Sequence, residues 1–182
     1  MGRYDRGVSS FAIRLFGDPV LRQPTRPVAE VDGAIARLCE DMIETMYAAP
    51  GVGLAANQVG VSKRLFVYDV GEGPGVVINP ELVESDGAWS YFEGCLSVPE
   101  LAWDIVRPKT VHLRGVGLDG EELDIEADEL LARCFQHEVD HLDGILVTER
   151  LDPERRKEAM RVLRQRAVGS SSLVAPATRS DL

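Results

Sequence analysis

Ala127-Asp128-Glu129-Leu130-Leu131-Ala132-Arg133-Cys134-Phe135-Gln136-His137-Glu138-Val139-Asp140-His141-Leu142 is the stretch on which the fold turns. Leu130, Leu131, Phe135 and Leu142 recur at helical spacing, Asp128 offers an N-cap, and Gly144 ends the run. Two histidines four apart on a helix share one face, about one turn apart, so both imidazoles can reach a single ion. Glu138, next to His137, is placed to act on a water rather than on the ion itself. The chain has only 3 histidines and two of them sit here, on a helix apolar enough to be packed. A metal site is therefore favoured over two solvated surface histidines.

A catalytic site of this kind needs a third protein ligand and an open position. Two thiols compete for that role. Cys134 lies three residues before His137 on the same helix face. Cys95 lies in Glu93-Gly94-Cys95-Leu96-Ser97, where a strand ends. Three ligands on one helix strain a tetrahedron, whereas a ligand from a separate strand closes it, so spacing alone leaves the choice open. Cys39, beside Leu38 and Met42, reads as a small buried hydrophobe. His112 falls in a strand pattern and reads as structural.

Outward from this helix the chain is mixed. Residues up to about 28 are irregular, broken by Pro19, Pro24 and Pro27. Asp32 then caps an amphipathic helix over 34–48, with Ile35, Leu38, Met42, Ile43 and Met46 on one face; Pro50 and Gly51 end it. Residues 51–60, all small or loop-like, read as a loop. Strand-forming runs follow at 64–70, 75–79, 88–92, 106–115 and 122–126, with Gly117-Leu118-Asp119-Gly120 as a hairpin turn. A last helix fits 153–167, with Asp152 as N-cap and Pro153 at its first position. From Gly169 the chain reads as a disordered tail, which makes 1–168 the catalytic domain and 169–182 the tail. The expected fold is α+β: mostly antiparallel sheet around the central histidine-bearing helix, with an N-terminal and a C-terminal helix.

Composition narrows the setting. At 182 residues, 45% hydrophobic and 27% charged, the chain suits one globular domain with its own core. The odd cysteine count, 3, argues for a reducing compartment. No segment approaches a membrane-length apolar run, and Met1 to Ser10 lacks the apolar run of a secretory signal, so the expected location is the cytoplasm. A net charge of −10 disfavours general nucleic-acid binding. Locally, however, Arg155, Arg156, Lys157, Arg161, Arg164 and Arg166 cluster near the C-terminus, either as a solvated helix face or as a contact for an RNA-rich partner.

Three segments together resemble the peptide deformylase family, in its order: Gly51-Val52-Gly53-Leu54-Ala55-Ala56-Asn57-Gln58, Glu93-Gly94-Cys95-Leu96-Ser97 and Gln136-His137-Glu138-Val139-Asp140-His141. Asp18-Pro19-Val20-Leu21-Arg22 is similar as well, and the resemblance spans about residues 11 to 166. It implies metal ligands Cys95, His137 and His141, with ferrous iron as the usual ion and zinc, nickel or cobalt as substitutes. The implied activity is hydrolysis of the N-formyl group on the initiator methionine of new polypeptides, with release of formate. Glu138 would be the general base, with the Gln58 side chain and the Leu96 backbone N–H as donors to the oxyanion. Val52, Gly53 and Leu54 would pair with the peptide, and Tyr91, Leu130, Cys134 and His137 would build the methionine pocket, with Arg133 in its wall. The basic C-terminal helix would then face the ribosome.

One departure stands out: Ala102 occupies a place where some relatives carry an arginine, so no peptide-holding role transfers there. Asp140 is expected to pair with Arg107, tying the helix to the Cys95 strand. Two rival readings of the histidine pair are a zinc peptidase, with Glu149 or Asp152 as a further ligand, and a structural module of four ligands, Cys95, Cys134, His137 and His141.

Overall fold

The computed structural model describes residues 10–171, with side chains to 166. It divides at Val147 into two compact units. The first opens with a 3-10 turn, Pro19–Arg22, and then α1, Gly33–Ala48. Asp32 caps α1 as expected, its carboxylate accepting from the backbone N–H groups of Ala34 and Ile35. The helix buries Ile35, Cys39, Met42 and Met46 in a cluster with Leu54, Leu65, Val67 and Ile78.

Seven strands follow: β1 Gly53–Ala55, β2 Leu65–Tyr68, β3 Gly75–Asp86, β4 Trp89–Cys95, β5 Val98–Arg107, β6 Thr110–Val116 and β7 Glu122–Asp128. All pairings between these strands are antiparallel; an isolated parallel bridge joins Arg26 and Lys63. β1-β2-β3-β6-β7 form one sheet and β4-β5 a separate hairpin. The fold class is thus α+β with antiparallel sheet around the histidine-bearing helix, as the sequence indicates.

Several boundaries differ, each for a physical reason. The run 51–60 is not a loop: β1 and a 3-10 turn, Ala56–Val59, occupy it, and both are fully buried. Small side chains there allow close backbone packing, not exposure. The run 106–115 is two strands, because Pro108 lacks the N–H a continuous ladder needs. β5 itself escapes the pattern because its burial does not alternate cleanly. The hairpin turn forms as expected, with the Gly117 N–H donating to the Glu121 carbonyl and Gly120 at φ +81°.

α2, Glu129–Leu142, is buried at every residue from Ala132 to Leu142. Asp128 flanks it, but its side chain makes no capping bond. Phe135 packs edge-on to Tyr68 at 4.9 Å and near Phe66 at 5.7 Å, within a core that includes Val77, Val111, Leu113 and Leu142. Gly144 stops the helix at φ +77°, a conformation L side chains rarely adopt, and a Cβ there would sit 2.7 Å from the Arg22 carbonyl oxygen.

The second unit carries α3, Pro153–Ser171. Asp152 caps it through the N–H groups of Glu154 and Arg155. The helix runs past 167 and takes in the first residues of the segment read as a tail; the remainder of 169–182 lies outside the described residues. Among the described residues no helix is long and apolar enough to cross a membrane.

Candidate metal centre

α2 presents Cys134, His137, Glu138 and His141 toward the end of the β4–β5 hairpin, where Cys95 closes β4. The ligand atoms of Cys95, His137 and His141 lie within 4.8 Å of one another, with the Cys95 Sγ 3.2 Å from the His141 Nε2. The two imidazole rings stand 4.9 Å apart, nearly perpendicular. Cys134 is outside this trio. Its thiol donates to the Val52 carbonyl at 3.4 Å.

Electrostatics separates the two thiols in the same way. Burial opposes ionisation of Cys95, but His141 and His137 outweigh it and hold the thiol well below its ordinary pKa. Cys134 is pushed well above, by burial and then by Glu138 and Glu93. One thiol is therefore poised as an anionic donor and the other stays protonated. A thiolate with two imidazoles, and room for a further ligand in the adjoining cavity, suits a divalent transition metal ion.

Glu93 is the charged hub that the sequence reading passed over. Its Oε1 accepts from His137 Nδ1 at 2.7 Å and from Arg107 Nη2 at 2.6 Å. Its Oε2 accepts from Arg107 Nε at 2.8 Å and from Arg133 Nη1 at 2.6 Å. Burial would raise this carboxyl, yet Arg107 and His137 hold it well below the usual carboxylate range. A proton fixed on His137 Nδ1 leaves Nε2 free to ligate. Arg107 also donates to Asp140 at 2.9 Å, the pairing expected from sequence, although Arg107 ends β5 rather than the Cys95 strand. Arg133 points inward, donating to Glu93 and to the Trp89 and Ile105 carbonyls. The alternation of β4 was the available signal: Glu93 and Cys95 lie two apart, so they share the buried face.

Glu138 is 3% exposed, and burial pushes its carboxyl up to about 7. Its Oε2 is buried with no hydrogen-bond partner. A carboxyl tuned near neutrality and left with an open lone pair is suited to moving a proton. Gly53 lets β1 press against it: a Cβ there would collide with the Glu138 carboxylate and lie 2.9 Å from the Cys134 Sγ. Gln58 turns its side chain to the same space, its Nε2 4.0 Å from the Cys95 Sγ.

These groups border a cavity of about 670 Å³, lined also by Val52, Leu96, Leu130 and Ala102. Two of the expected substrate residues are not in its lining. Leu54 is fully buried in the α1 core. Tyr91 stacks on Trp89 at 4.6 Å, beneath the Arg133 guanidinium, and so braces the arginine that holds Glu93. Phe92, the next residue, faces the cavity instead and was not anticipated. His112 contacts Asp124 across β6 and β7, consistent with a structural role. Cys39 is buried in the α1 cluster as read from sequence.

Residues 11–157 match the family model for polypeptide deformylase. The peptide deformylase of Acidothermus cellulolyticus is 53% identical over 153 residues, covering 84% of this chain and 85% of its own. That of Agathobacter rectalis is 56% identical over 140 residues, 77% of this chain and 89% of its own. Among solved structures, a peptide deformylase from Legionella pneumophila superposes with a TM-score of 0.83 at 38% identity, over 90% of this chain and 98% of that one. The Ehrlichia chaffeensis peptide deformylase, solved in complex with actinonin, gives a TM-score of 0.83 at 38% identity over 87% and 98%.

Proposed function

Because the chain belongs to the polypeptide deformylase family, we propose that Cys95, His137 and His141 hold its metal ion, with Glu138 as base and Gln58 and the Leu96 N–H as donors to the formyl oxygen. The chain is a metal-dependent hydrolase that removes the N-formyl group from nascent peptides. The observation that carries the site assignment is the convergence of one thiol and two imidazoles beside a buried, unpartnered carboxylate oxygen. Among the described residues Cys95, His137 and His141 form the only such cluster, which disfavours both the four-ligand structural module and a peptidase site using Glu149 or Asp152.

An ion held by these three residues would polarise the formyl carbonyl and lower the pKa of water towards ~7. Glu138 takes the attacking water's proton, the hydroxyl adds to the formyl carbon, the C–N bond breaks, and Glu138 returns the proton to the departing amine. Gln58 and Leu96 stabilise the negative charge that collects on the formyl oxygen, a role in which one donor is typically worth about 2.7–4 kcal/mol. The mixed thiolate and imidazole donors suit a divalent transition metal ion, and the family resemblance makes ferrous iron the proposed occupant in the cell, with zinc, nickel or cobalt as substitutes.

β1 is an edge strand of the five-stranded sheet, so its outer side can accept a peptide in strand fashion, with main-chain bonds from residues 52–54. Leu130, Cys134 and His137 then wall the methionine pocket, and the protonated Cys134 serves as a small apolar surface. The expected test is formate release from a formyl-methionyl peptide by the metal-loaded protein. Cys134→Ala should keep its metal and lose about tenfold in kcat/KM, the low end of what one methylene-sized change in an apolar pocket costs. No formate from the intact protein, or loss of metal in Cys134→Ala, would overturn the assignment.

A cytoplasmic location and work on nascent chains also give the basic face of α3 a role: contact with ribosomal RNA. Arg156, Lys157 and Arg164 are exposed on that helix. Replacing all three with glutamate should weaken salt-dependent co-sedimentation with ribosomes while leaving small-peptide turnover unchanged. Undiminished co-sedimentation would rule the contact out.

A further inference from the structure

Gln58 is held on more sides than a substrate-facing amide requires. Its Oε1 accepts from the Ala55 N–H at 2.9 Å. This contact assigns the amide orientation, since only the oxygen can accept. One Nε2–H then donates to the Ser97 Oγ at 3.1 Å. A primary amide has two N–H bonds, so with the oxygen and one N–H pinned the second is left for the side of the Cys95 Sγ, 4.0 Å from Nε2, on the wall of the cavity that Gln58 and Cys95 both line.

Ser97 itself is 0% exposed and does not line that cavity. It cannot touch a substrate, and anything it does for the reaction must pass through a neighbour. The backbones of the two residues are also tied together. The Arg14 N–H donates to the Gln58 carbonyl at 2.7 Å and the Phe16 N–H to the Ser97 carbonyl at 2.8 Å. One short piece of the N-terminal segment thus spans both, fixing the distance across which the side-chain bond forms.

We infer that Ser97 is a positioning residue for the reaction: its hydroxyl oxygen takes one Gln58 N–H and thereby holds the other toward the formyl oxygen. Without it the amide keeps only the bond at its oxygen and the long 4.0 Å contact to the Cys95 Sγ, and can swing about the oxygen. The inference rests on the reading of Gln58 as an oxyanion donor, and the experiment separates the two.

Four metal-loaded proteins are compared on a formyl-methionyl peptide: the native chain, Ser97→Ala, Gln58→Ala and the double variant, with kcat, KM and metal content for each. Ser97→Ala should lower kcat about 3- to 10-fold, the worth of one neutral hydrogen bond, with KM and metal content unchanged. In the Gln58→Ala background the same change should cost less than about 2-fold, because the group it acts through is gone. Ser97→Cys keeps the volume with a weaker acceptor and should show the same dependence on Gln58, which covers a folding defect in the alanine variant. An equal loss in both backgrounds overturns the positioning role alone. Undiminished kcat in Gln58→Ala overturns the donor reading and this inference with it.

Discussion

Glu138→Ala should keep its metal and lose turnover by about 10²- to 10⁴-fold, the usual worth of a positioned general base. The expectation follows from where the carboxylate sits. Glu138 lies beside His137 on α2 yet outside the trio of ligand atoms, and its Oε2 has no protein partner. Removing it takes away the proton acceptor and none of the ion's ligands. Cys95→Ala should do the reverse and purify without its ion, since it deletes a donor. Measuring bound metal and kcat on the same samples gives the contrast directly. Joint loss of metal and activity in Glu138→Ala would mean that the carboxylate is a ligand, not the base. Glu138→Gln, close in shape, should behave as the alanine variant does, because an amide cannot take the proton.

The second large effect is on stability. Glu93 faces two guanidinium groups and an imidazole and is 4% exposed. Glu93→Ala leaves Arg107 and Arg133 buried with a carboxylate removed from each. Breaking a buried pair in this way typically costs about 3–5 kcal/mol, a large part of the roughly 5–15 kcal/mol that holds a domain together. Urea unfolding should therefore show a strongly lowered midpoint at unchanged slope. Metal affinity should fall as well, by about 10- to 100-fold, because His137 loses the acceptor that fixes its ring.

The pH dependence has a definite sign. The Glu93 carboxyl is depressed in the folded state, so its contribution is fully present above the unfolded value of about 4.3. It is lost as pH falls below that value toward the folded one. The gap in stability between the native chain and Glu93→Gln should thus be constant near neutrality and shrink below about pH 4. A gap that does not change in acid would mean that the carboxylate is not the source.

The parts of the site that were legible from sequence are those fixed by local geometry. His137 and His141 share a helix face whatever surrounds them, and Glu138 follows from the same spacing. Cys95 against Cys134 was open on spacing, because the choice depends on where β4 ends relative to α2. Glu93 went unread because its burial depends on Arg107 from β5 and Arg133 from α2, residues 14 and 40 positions away. Residues 51–60 looked like a loop because small side chains mark flexible backbone and close packing alike. Only the neighbours decide, and here Gly53 meets Glu138. Phe92 borders the cavity while Tyr91 stacks on Trp89, because adjacent residues in a strand face opposite ways and spacing alone does not say which face meets the cavity.

β3 and β6 pair with each other directly, so the β4–β5 hairpin between them is a detour in the chain, not a rung of the main sheet. Its strands close on one another through nearby residues, and it contributes Cys95 and Glu93 to a site whose other members arrive on α2. Locally closed segments form early at small entropic cost, while docking them onto a distant helix comes later. The catalytic centre is thus a seam between the hairpin and α2, and an ion held by Cys95, His137 and His141 would be the clasp between them.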